Sequence, residues 1–148
     1  MAQLPYASSS AGAGREKEIR DLLRSVGASA VGFMVDDDAD VVICQFRLGG
    51  RNITVPVSVA AYEAAWLCAT PCGPRTDPRD HKKKARAQAE RAVWAVLADW
   101  VKAQTAMIVC GFMTTDTAFL PHILMRDGRR VSEAVITGPN ALLPPPKE

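Results

Sequence analysis

The chain has little of what usually announces a chemistry. It holds two histidines, His81 and His122, so a His-based nucleophile system would have to recruit a distant cysteine through the fold. There is no Walker loop, no GxGxxG after a strand, no GxSxG elbow and no HExxH, which removes the common phosphate, dinucleotide, hydrolase and zinc-protease signatures. Aromatic residues make up only 6% of the chain. No apolar run approaches the roughly 20 residues of a membrane span, so no membrane partner is expected. The start, MAQLPYASSSAGAG, lacks the charged-then-apolar layout of a secretory signal, and a cytoplasmic location follows as an expectation. In that setting the four cysteines, Cys44, Cys68, Cys72 and Cys110, read as reduced small hydrophobes. The formal net charge of +2 is too mild for a chain basic all over, so a basic surface must come from local clustering.

What is present sorts into one α+β domain. Residues 1–14, with Ser8, Ser9, Ser10, Gly12 and Gly14, show no apolar periodicity and predict a disordered arm. Ile19, Leu22, Leu23 and Val26 recur at helical spacing, and Gly27 stands where a helix ends. Three β-type runs follow, at 30–35, 41–48 and 51–57, separated by the acidic turn Asp36 to Asp40 and by Gly49-Gly50, a tight-hairpin signal. They predict a three-stranded antiparallel meander. Residues 62–80 read as a long excursion, with a helical turn or two before its prolines. A long amphipathic helix then opens at Asp77-Pro78 and stops at Gly111.

At 100° per residue, Ala85, Ala89, Ala92, Val93, Val96, Trp100, Ala103 and Met107 fall on a stripe about 100° wide, the expected core face. Lys84, Arg91 and Lys102 form an outward line with Ala95 between them and Trp94 at its margin. Beyond Gly111, Thr114 or Thr115 caps a second helical segment that Pro121 interrupts, and short helical elements complete a domain spanning 15–136. The Pro-rich tail 137–148 need not pack.

One asymmetry bears on function. From Arg75 to Arg91 there are seven basic residues (Arg75, Arg79, Lys82, Lys83, Lys84, Arg86, Arg91) and three acidic ones (Asp77, Asp80, Glu90), a local excess of four. Cations at a helix start oppose the macrodipole by a few tenths of a kcal/mol each, roughly, so an anion is the natural reason for them. Trp94 and Trp66 beside these cations would offer bases a stacking surface if exposed. The alternative is a solvated helix face and core tryptophans. Cys68 and Cys72, with His81 and Cys110 elsewhere, lack the second paired-ligand motif of a zinc site. Asp36, Asp37, Asp38 and Asp40 lack the glycine and distal Glu of a calcium loop. No metal, no cofactor and no catalytic residue is assigned, and the chain is read as non-enzymatic.

Two resemblances add to this. The residues Arg91, Trp94, Lys102, Gly111, Phe119-Leu120, His122-Ile123-Leu124, Asp127-Gly128, Val131 and Glu133, with the strand Gly50-Arg51-Asn52-Ile53 to Pro56, resemble a family of small uncharacterised bacteriophage and prophage proteins over residues 15–135. That resemblance implies a phage origin and a setting among genes for replication, recombination or early host takeover. More weakly, the order helix, three antiparallel strands, helix, with HKKKARAQAERA opening the last helix, resembles the double-stranded RNA-binding domain. There the lysines that would hold phosphates fall on Lys82, Lys83 and Lys84, with Arg86.

The expectation is a phage accessory protein that places Lys82, Lys83, Lys84, Arg86, Arg91, Lys102, Trp94 and Arg51 on nucleic acid, DNA ahead of RNA, in the host cytoplasm. The alternative is a module that docks on a host or phage protein, or self-associates, through Phe119, Leu120 and His122.

Overall fold

The computed structural model describes residues 3–10 and 14–138. In chain order the elements are α1 (Arg15–Ser25), β1 (Ser29–Asp36), β2 (Val41–Leu48), β3 (Arg51–Ser58), α2 (Val59–Ala69), α3 (Pro78–Val109), α4 (Thr115–Phe119), a 3₁₀ turn (Leu120–His122) and α5 (Val131–Thr137). This is the expected α+β order, with α2 added.

Each junction has a local cause. Gly27, at φ +95, closes α1 as its amide donates to Arg24 O and that of Ala28 to Leu23 O, the double bond of a Schellman end. Asp36 Oδ1 accepts the amides of Asp38 and Ala39 and turns β1 into β2. Gly49 and Gly50 both have positive φ, the backbone a two-residue hairpin needs. Ser58 caps α2, Asp77 caps α3 through Arg79 N, and Thr114 caps α4 through Thr117 N.

The strands pair in the order β1-β2-β3, antiparallel throughout. Along β2, Val42, Cys44, Phe46 and Leu48 are buried, and the alternate residues face away. α1 and α3 pack on that inner face, burying Ile19, Leu23, Leu97, Ala98 and Val101 with Phe46, Ile53 and Val55. A smaller cluster, Val42, Val59, Ala89 and Val93, lies under the first half of α3. α3 is the one described helix with the length and apolar content of a bilayer span; its apolar residues instead pack on α1, α2 and the sheet.

Three differences from the sequence reading follow from this packing. Residues 59–69 form a full helix because α2 is apolar on most sides and lies between Ser58 and the flank of α3, which gives it no single amphipathic stripe. Secondly, the buried surface of α3 is wider than one stripe. Gln88 and Ala95 are buried, whereas Ala103 is exposed.

The third concerns residues 3–10, read as part of a disordered arm: they lie against α2 and α3. Gln88 Nε2 donates to the carbonyls of Tyr6 and Ser9 at 2.9 and 3.2 Å, Tyr6 Oη to Asp99 at 2.8 Å, and Tyr62 Oη to Pro5 O. Gln88, Ala92, Ala95 and Asp99 stand on one helical line, so this segment covers the outward side of mid-α3. Of the expected tail, only Thr137, the last residue of α5, and Gly138 fall within the described residues.

Candidate nucleic-acid interface

α3 starts on a firm anchor. His81 is buried, its Nε2 donates to Thr70 O at 2.7 Å, and its ring lies 5.0 Å from that of Trp66 on α2. Trp66 is therefore part of this joint. Directly after His81, Lys82, Lys83 and Lys84 are exposed, as are Arg75 and Arg79 before it. None of these five cations makes an ion pair among the described residues. With Asp77 and Asp80 beside them, five positive and two negative charges leave an excess of three at this end. The three lysines fan over about 200° of the helix circumference, and helical side chains lean toward the N-terminus, so their charges surround the first turns of α3. Arg75 joins this group from the loop before α3 and Arg79 from the first turn of the helix, and local charge counting was the only sequence signal for them.

The other residues expected on this interface are not gathered with the lysines. Arg86 is held by three carboxylates: its Nη1 and Nη2 each lie 2.6 Å from Asp40, Nε is 3.1 Å from Glu90, and Glu63 is 3.5 Å away. The two-pronged bond to Arg86 holds the Asp40 carboxyl below its ordinary range, and Asp40 in turn raises the guanidinium. A phosphate would have to displace all three, so Arg86 is a clamp between the β1–β2 turn, α2 and α3. The i,i+4 pair with Glu90 was visible in sequence; Asp40 and Glu63 come from remote elements.

Arg91 is half-buried and donates to Gln88 Oε1 at 2.9 and 3.3 Å. Since Ala95 is covered too, the outward line Lys84, Arg91, Lys102 is broken in its middle. Lys102 is exposed, but about 30 Å from Lys82 along the helix. Trp94 packs on Phe33 at 5.3 Å between ring centres and belongs to both core clusters, so it is a wall of the core rather than a free platform.

Arg51 lies at the opposite end of the sheet, 3.7 Å from Asp116. With Arg126 it flanks a hollow of about 270 Å³ floored by Leu120, Ile123, Leu124 and Val131. The expected protein-interface trio divides: Phe119 is 0% exposed, edge-on to Phe46 and Trp100, and is corrected from interface to core. Leu120 is 49% exposed. His122 is half-buried against Trp100 with an unpartnered Nδ1, and burial, then Arg130, lowers its pKa.

Cys44 is buried and its thiol pushed up to about 12 by desolvation, while Cys68, Cys72 and Cys110 are exposed. Among the described residues no three His, Cys, Asp or Glu side chains converge as a metal cage requires. No family model, no curated protein and no solved structure matches the chain.

Proposed function

We propose that the protein is a non-enzymatic nucleic-acid-binding accessory protein of phage origin, acting in the host cytoplasm, that grips phosphates with the lysine end of α3. One observation carries this: Lys82, Lys83 and Lys84 stand exposed and free of ion pairs among the described residues, on a helix whose first turn is fixed by buried His81. Free cations on a rigid mount release counterions on binding without an internal pair to break. The contact set narrows to Lys82, Lys83 and Lys84 with Arg75 and Arg79. Arg86, Arg91 and Trp94 support the fold, and Arg51 and Lys102 stand apart. DNA takes precedence over RNA on the phage resemblance alone.

The test is a titration of labelled single-stranded and duplex DNA and RNA at two salt concentrations, with a Lys82→Ala/Lys83→Ala/Lys84→Ala variant alongside. Binding should collapse with salt, and the variant should lower the slope of log affinity against log salt by about 3 on duplex, or somewhat less on single strands. Absence of wild-type binding at low salt would end this reading.

A specific observation favours one alternative, docking on a host or phage protein. At the far end of α3, Val109 is 71% and Phe112 72% exposed, followed by exposed Met113, and exposed Leu120 and Met125 line the hollow beside Arg51. Such binding would survive salt and respond to Phe112→Asp or Leu120→Asp.

A further inference from the structure

The two edges of the sheet are protected unequally. β3 carries Pro56 along the stretch that pairs only with β2, where a missing amide does no harm. Its first half is closed by the Ile53–Ile123 bridge, with Leu124 N donating to Asn52 O at 2.8 Å. At the other edge, the β1 backbone is irregular only at its start, where the register shifts between Ser29 and Gly32 and Ala30 has φ +53, and Arg20 of α1 lies over the Phe33 ring further along. From Gly32 to Asp36 the strand pairs regularly with β2. Among the described residues no backbone group bonds its outer side. The segment Gly32 to Asp36 contains no Lys, Arg or Pro, the usual edge guards. It exposes Met34 by 49% on the open face and Val35 by 61% on the inner one.

Charge runs in opposite senses along this edge. Asp37 and Asp38 lie just past its C-terminal end, and Arg24, in the last turn of α1, stands one short loop before its N-terminal end in the chain. All three are exposed and outside any ion pair among the described residues. A two-fold contact must be self-complementary, because each copy offers the same patch. Antiparallel pairing of Gly32–Asp36 with itself meets that condition: the acidic end of each copy falls beside the Arg24 end of the other. Parallel pairing would set acid against acid.

We propose that β1 is a self-association edge: two copies pair β1 to β1, antiparallel, into one sheet running continuously through both. This does not depend on the nucleic-acid reading. Five residues a side make a small contact, so the dimer should be weak and reversible. It would also cover Met34 and Val35.

Sedimentation equilibrium of the whole chain over a wide concentration range tests this. The wild type should show a reversible monomer–dimer equilibrium. A Met34→Lys/Val35→Lys variant should keep its far-ultraviolet dichroism, since both positions are exposed, and associate at least about tenfold more weakly. Asp37→Arg/Asp38→Arg should weaken the dimer too, and adding Arg24→Glu should restore it. Amides 32–36 should exchange more slowly as concentration rises. The proposal is overturned by a wild type that stays monomeric throughout, including one whose edge pairs only with some other protein's strand. It is equally overturned by a dimer that survives Met34→Lys/Val35→Lys, by failure of the charge swap, or by association lost only in Leu120→Asp.

Discussion

The two halves of α3 rest on different kinds of support. Beneath the second half lies a core with large side chains: Phe119, Phe46 and Leu97 are buried, and Trp100 and His122 close its rim. Beneath the first half the buried residues are Val42, Val59, Ala89 and Val93, small side chains rimmed by Tyr62 and Trp94 and joined by the Arg86 clamp. Where apolar volume is scarce, a polar tie between turn, α2 and α3 supplements it. The same scarcity leaves the lysine end free of covering elements. The end that carries free cations is thus also the end whose fully buried side chains are the smaller ones.

The sharpest way to break this contrast is to remove volume on each side. Phe119→Ala should cost about 3 to 5 kcal/mol, because it empties a fully buried ring site between Phe46 and Trp100. Val93→Ala should cost about 2 kcal/mol, two methyl groups plus a small residual void. Urea unfolding of both variants checks the ratio. Equal losses would show that the two halves are supported alike.

The clamp should come next in size. Arg86→Met leaves Asp40, Glu63 and Glu90 facing one another without their cation, and the melting temperature near neutral pH should drop by several degrees. The pH dependence follows from the direction of the Asp40 shift. Its folded-state pKa is depressed, chiefly by the bond to Arg86, from an ordinary 3.8. The stability it contributes is therefore complete above that value and lost as pH falls through the folded pKa. The gap between wild type and Arg86→Met should narrow on acidification through that range. A gap that stayed constant would mean that Arg86 acts through packing alone.

How legible these two halves were in the sequence differs for the same physical reason. Local chemistry was readable: the Gly27 end of α1, the Gly49-Gly50 hairpin and the Asp77-Pro78 start each depend on neighbours in the chain. The lysine run was readable too, since exposure of three consecutive lysines needs no partner. What failed depended on remote elements. Arg86 looked like a free cation because Asp40 lies 46 residues away. Arg91 and Ala95 looked outward because residues 5–9, featureless in composition, cover that side of the helix. Phe119 sat in a segment interrupted by Pro121, yet that proline opens the 3₁₀ turn leading into the Ile123 bridge, which is what holds Phe119 inward.

The smallest effect lies at the rim of the larger core. His122 meets the edge of Trp100, its Nδ1 is buried without a partner, and Arg130 is the charge that bears on it. Desolvation comes first and Arg130 second, and both lower its pKa from 6.5, so the folded state holds it neutral while the unfolded chain protonates at the ordinary value. Below 6.5 the unfolded state binds more protons, and stability must decline as pH falls, levelling off beneath the folded pKa. Melting curves from neutral to about pH 5 should show this shallow loss, and His122→Phe should flatten it, since a phenyl ring keeps the contact with Trp100 and has no site to protonate. The slope persisting in His122→Phe would assign it to another group than this ring at the rim of the larger core.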